Sequence, residues 1–362
     1  MHKRSLIVIL MIILTLSFVG TAFANGGQES SGGSAQTGQM EKITARMPSE
    51  EIEGDFMTVW AKKFADHMRE WSDGQIDITV YPYGTLGDSR DVVEVTQMGV
   101  TELVFADYGW LSSFVPQTQV LALHYLWPKD KMPQTLEWVV KNGDAMPLLE
   151  KYYRNNGFVP LGIMYEGWQW VTSKSPKIDM NQYNGFKVRV MGSKMLVEDY
   201  KAYGSNPTPM SYGEVYSGLQ TGLIEGQVNP LFAIYSMKFY EVQNYLTQLW
   251  AEPFVGIPTA NKQWFDALPE AAQQEMKRWW ADAIIPAAKW IDDRNASDRK
   301  KMMADKPNLK FTELTADEIK PYQEAAKKVY PTFVKIGGDG AQQVLDTLLA
   351  DIDNAKQAVG AK

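Results

Sequence analysis

The chain has 362 residues, 45% apolar and 22% charged, with no cysteine. That length suggests two domains, and the apolar fraction excludes collagen-like, coiled-coil and wholly disordered chains. The missing thiols exclude disulfide scaffolds, thiol nucleophiles and cysteine-held metals, while a net charge of −7 supplies no basic face for nucleic acid.

Lys3 and Arg4 precede an apolar run from Ser5 to Val19, and Ala22-Phe23-Ala24 follows with small residues at the two recognition positions. This is the pattern of a secretory signal peptide cleaved after Ala24. The run is too short for a membrane anchor, which needs about 20 apolar residues. Residues 25–40 are rich in Gly, Ser and Gln without apolar periodicity, as expected of a flexible linker.

From about residue 41 the pattern is that of an α/β fold. Lys42 to Met47 alternates as a strand does, and Phe56, Val59, Trp60, Phe64, Met68 and Trp71 recur at helical spacing. Ile76, Ile78 and Val80 define a second strand; Asp88 and Ser89 cap a helix to Met98; Glu102 to Ala106 is a third strand. Strands and helices alternating at this spacing imply a parallel sheet covered by helices. A second set follows. Trp168 to Thr172, Phe186 to Val190 and Leu223 to Val228 read as strands, and Ser211-Tyr212-Gly213-Glu214 reads as a capping box opening a helix to Thr221. Pro269 begins a helix to about Ala304 that is long enough to cross between domains and is expected to kink at Pro286. Thr315 to Glu318 forms another capping box, and a last amphipathic helix carries Val344, Leu348 and Ile352.

Catalytic motifs are absent. No HExxH, GxxxxGK[ST], GxSxG or GxGxxG occurs, and beyond the leader only His67 and His124 remain, both read as structural. The acidic run Glu50, Glu51, Glu53, Asp55 lacks the spacing of a calcium loop and reads as a solvated face. No cofactor, metal site or catalytic residue is assigned. A secreted glycan hydrolase needs only two carboxylates, so composition leaves that alternative open.

One strand stands out. In Lys187-Val188-Arg189-Val190 the valines face one side and the two cations the other. An Arg near the carboxyl end of such a strand points to where α/β sheets bind ligands, and its two parallel donors suit a carboxylate. Asn206 to Ser211 and Glu225 to Pro230 bring the chain to two helix amino ends beside it.

Taken together, GFKVRV, NPTPMSYGEVYSGLQTGLIEGQVNP and KFYEVQNYLT, with VYPYGTLGDSRDVVEVTQMGVTELVFADYG upstream, resemble the solute-binding proteins of TRAP (tripartite ATP-independent periplasmic) transporters, the DctP family. The resemblance spans residues 42 to about 300. It implies a two-domain periplasmic binding protein fold with an interdomain cleft and a long domain-spanning helix: domain I from 41–164 plus about 251–290, domain II from 165–250 plus about 291–362. It implies an exported, monomeric, non-enzymatic protein that closes on a small organic acid and delivers it to TRAP membrane permease subunits. A receptor feeding a sensor is the other binding alternative. By this resemblance Arg189 pairs with the ligand carboxylate, Asn229 and Tyr212 line the pocket, and Asp107 with Tyr108 ends the third strand at the site. Two departures matter: Gln169 stands where many members have a second Arg, and Val228 where Glu is frequent. With Trp168 and Trp170 flanking Gln169, the expected ligand is a monocarboxylate with an apolar or aromatic body, and Gln169 and Trp168 join the candidate contacts.

Overall fold

The computed structural model describes residues 42–361; the leader and linker read from the sequence lie outside them. The strands are β1 (Ile43–Pro48), β2 (Ile76–Tyr81), β3 (Leu103–Asp107), β4 (Phe158–Pro160), β5 (Met164–Trp168), β6 (Trp170–Ser173), β7 (Val188–Val190), β8 (Thr208–Pro209), β9 (Gly226–Asn229), β10 (Tyr245–Gln248), β11 (Pro253–Asn261) and β12 (Lys310–Glu313). They form two lobes. In the first, β1 and β2 pair in parallel, and β11 pairs antiparallel with β3, β4 and β5. A single parallel bridge from Ser49 to Phe105 ties the pair to β3. In the second lobe six strands run in the order β12-β10-β6-β9-β7-β8.

The chain leaves one sheet for the other at Gln169, between β5 and β6, and returns between β10 and β11. Gln169 N–H donates to the Glu252 carbonyl (3.2 Å), holding the two crossings together. Gly167 makes the first crossing possible. Its φ of +107° suits glycine, and a Cβ there would lie 2.5 Å from Asn295 Nδ2.

The helix Phe56–Trp71 forms as its spacing predicts, burying Phe56, Trp60, Phe64 and Met68. Helix Glu270–Asp305 runs unbroken through Pro286 for 36 residues. Asn295 in its last third binds both lobes: Oδ1 accepts from Phe232 N–H (2.8 Å), and Nδ2 donates to the Glu166 carbonyl (3.3 Å).

Three expectations change. The strand expected over Trp168–Thr172 breaks at Gln169, so Trp168 packs on Trp250 while Trp170 packs on Phe311. The Ser211 box does not form: Tyr212–Glu214 is a single 3-10 turn before helix Val215–Thr221, and the Ser211 side chain caps nothing. The C-terminal helix Ala341–Val359, grouped with domain II from chain order, packs on helices Met132–Asn142 and Ala145–Asn155 of the first lobe. Asp351 accepts there from Ala145 N–H (2.7 Å). An amphipathic terminal helix takes whichever apolar groove is open, which chain order does not encode.

Candidate functional site

Arg189 pairs with Gln227 in the parallel β7–β9 ladder. Two-residue alternation therefore puts Arg189, Gln227 and Asn229 on one face near the carboxyl ends of both strands. The Arg189 side chain is 1% exposed. Nε donates to the Met210 carbonyl (2.9 Å), which fixes the guanidinium plane, and one terminal nitrogen has no partner among the described residues. Asn229 donates to Gln227 (2.5 Å).

Arg189 and Asn229 line one wall of a cavity between the lobes. Met191, Tyr212, Asn229 and Ala233 share its second-lobe side. Glu50, Glu51, Met57, Ser89, Asp107, Trp110 and Phe254 supply the other. Three of the four acids expected to be solvated are the correction of greatest consequence: Glu50, Glu51 and Asp55 are each at most 5% exposed, and Glu53 alone faces solvent. They sit just past β1, where the Ser49–Phe105 bridge turns the chain inward. Glu50 N–H donates to the Phe105 carbonyl (3.1 Å), and its carboxyl accepts from Asp107 N–H (2.8 Å). Glu51 accepts from Met57 N–H (2.6 Å), at the start of the first helix. A charge run in sequence does not say which tertiary neighbour will cover it.

The electrostatics are unusual for an acid-binding site. Burial pulls the Arg189 pKa down to about 10, opposed by Asp107 and Glu50, so the guanidinium stays charged at neutral pH. Burial drives the carboxyls the other way. Glu50 is raised well above its ordinary value, by desolvation and then by Asp107. Asp107 rises to about 6 through desolvation, held back by the Trp110 amide, Glu50, Arg189 and the Gly109 amide. Behind the wall, Glu166 is fully buried with no donor to either oxygen among the described residues. Its neighbour is the Glu51 carboxyl, and the two bond only when one carries a proton; both are raised, chiefly by burial.

Of the residues singled out from the sequence, Arg189, Asn229, Tyr212 and Asp107 meet at this cavity. Gln169 and Tyr108 meet one another behind it. Gln169 Nε2 donates to Tyr108 Oη (3.2 Å), and Tyr108 donates to Glu252 (2.7 Å). Glu252 also lies 3.4 Å from His124 Nε2, whose Nδ1 pairs with Tyr203 Oη (2.7 Å). Trp168 stands edge-on to Trp250, which carries the Lys129 ammonium over its face at 3.7 Å. Among the described residues no His, Cys, Asp and Glu group has metal-binding geometry.

A family model described as bacterial extracellular solute-binding protein, family 7 (DctP) matches residues 50–336. The ectoine/5-hydroxyectoine-binding periplasmic protein UehA of Ruegeria pomeroyi is 33% identical over 93% of this chain and 98% of its own. The ectoine-binding periplasmic protein TeaA of Halomonas elongata is 33% identical over 85% of this chain and 89% of its own. The solved structure of the ectoine-binding protein from the TeaABC TRAP transporter of that organism overlays with a TM-score of 0.80, at 33% identity, over 86% of this chain and 99% of that one. A TRAP solute-binding protein from Marinobacter aquaeolei, in an apo open structure, gives 0.78 at 31% identity, over 85% and 100%.

Proposed function

This chain belongs to bacterial extracellular solute-binding protein family 7, the solute-binding proteins of TRAP transporters, which are not enzymes, and from that membership we propose that its solute is a compact zwitterion. One observation carries this reading: a single buried guanidinium shares its cavity with Glu50, Glu51 and Asp107. A carboxylate takes the free Arg189 donors. A positive group, delocalised or alkylated, takes the acidic wall opposite, where ionisation of Glu50 and Glu51 is hard without it. Trp110, Tyr212 and Phe254 enclose the apolar body. Ectoine and 5-hydroxyectoine, small rings bearing a carboxylate and an amidinium, have this chemistry, and the relatives named for them support the choice. This reading replaces the monocarboxylate with an apolar or aromatic body expected from the sequence by a carboxylate that carries a cationic partner group.

Arg189, Asn229, Tyr212 and Asp107, joined by Glu50 and Glu51, are assigned to the solute. Gln169, Tyr108 and Trp168 are assigned to the frame that holds the crossings. The two lobes close on the solute, the bound form being selected by contacts that exist only when both meet. We place the protein in the periplasm as a monomer, cleaved after Ala24, handing its solute to the TRAP permease. Calorimetry with ectoine, an aromatic monocarboxylate and a dicarboxylate tests the class. Ectoine binding tighter than both anions is expected, and tighter binding of either plain anion overturns the reading.

A further inference from the structure

Beyond the cavity wall, the mouth is bridged by direct bonds between the lobes. Tyr83, just past β2, accepts from Gly213 N–H of the second lobe through Oη (3.0 Å). Its ring stands edge-on to Tyr212 at 5.7 Å, and Tyr212 is itself wall. Five residues on, Asp88 accepts from the Ser211 hydroxyl (3.0 Å). A Cβ on Gly213 would come 3.1 Å from Tyr83 Oη, so glycine permits the approach. The Ser211 oxygen caps no helix amide, and its hydroxyl proton is given to Asp88 across the mouth. Neither Tyr83 nor Ser211 lines the cavity.

We propose that Tyr83 and Ser211 are positioning residues for solute retention: their bonds to Gly213 and Asp88 clasp the mouth, hold the closed form with the chain's own contacts, and set the release rate. The proposal rests on the closing-cleft reading but not on which solute is bound. A bond formed only on closure slows opening and leaves encounter unchanged, so it acts on dissociation. Asp88 is unsuitable for a test because its carboxylate also caps the helix Ser89–Gln97 through Arg90 and Asp91 N–H. Tyr83→Phe and Ser211→Ala remove one bond each and leave helix ends intact.

The chain has no cysteine, so exposed Thr85→Cys and Gln220→Cys accept a dye pair, one on each lobe. Single-molecule energy transfer on the full mature chain then reads opening and closing directly, first without solute and then with ectoine. Each clasp variant is expected to shorten closed-state dwells about 3- to 10-fold, the loss of one ordinary hydrogen bond, with open-state dwells and thermal midpoint unchanged. Unaltered closed-state dwells in both variants would overturn the clasp. Failure of ectoine to lengthen wild-type dwells would overturn the solute class instead, and the comparison made without solute stands apart from it.

Discussion

Arg189 Nε donates to the Met210 carbonyl at 2.9 Å, and that bond turns the remaining guanidinium donors toward the cavity. The partner is backbone from β8's own continuation into the Tyr212 turn, so the cation is aimed by the sheet that carries it. Arg189→Ala is expected to weaken ectoine binding by about 100-fold or more, since a charge-assisted pair in a dry site is lost. Arg189→Lys should recover little of it, because an ammonium has no second parallel donor and no Nε to bond Met210. Isothermal titration reads both.

The acidic wall should release protons when solute arrives. Glu50 and Glu51 are pushed up by burial, and Asp107 to about 6, so a bound cation converts neutral carboxyls to carboxylates. Affinity for ectoine is expected to rise with pH from about 6 to 8, as protons compete less well. Titration in buffers of different ionisation enthalpy should show net release in the wild type and less in Glu51→Gln.

Stability of the solute-free chain should move oppositely. Glu51 and Glu166 have folded-state pKa values above their unfolded ones, so the folded state holds more protons. The stabilisation is complete below about pH 4.5 and is lost as pH rises toward 8. Glu166→Gln keeps the shape and carries no ionisable proton. It should raise the midpoint by about 2–4 °C at pH 8 and leave it unchanged at pH 5, measured by scanning calorimetry.

Tyr108 is fully buried between Glu252 and Gln169. Tyr108→Phe leaves both without that partner and should cost about 1–3 kcal/mol of stability, measured by denaturant unfolding. Ectoine affinity should change less than about threefold if Tyr108 belongs to the frame. A larger loss would move it into the solute's direct contacts.

Much of this is legible in the sequence. The Phe56–Trp71 helix follows from its apolar spacing because that period depends only on local geometry. The Asp88 cap likewise involves donors two and three residues away. Arg189 was legible because alternation and a short parallel strand leave one place for it to point. Glu50, Glu51 and Asp55 were not, since what covers them is β3, the long helix and the other lobe. Ser211 misled for a related reason: its hydroxyl is drawn to donate to Asp88, 123 positions away, a neighbour that only the tertiary fold supplies. Trp168 and Trp170 diverge because the backbone turns at Gly167 and Gln169, where alternation stops applying.

Glu166 and its neighbours also bear on the lifetime of each molecule. Carboxyl groups crowded out of water around one cation leave the vacant receptor short of its full stability, and an occupant that neutralises them restores it by mass action. Proteases act on whatever fraction is transiently unfolded. Solute-bound copies are therefore expected to outlast empty ones when both meet a protease.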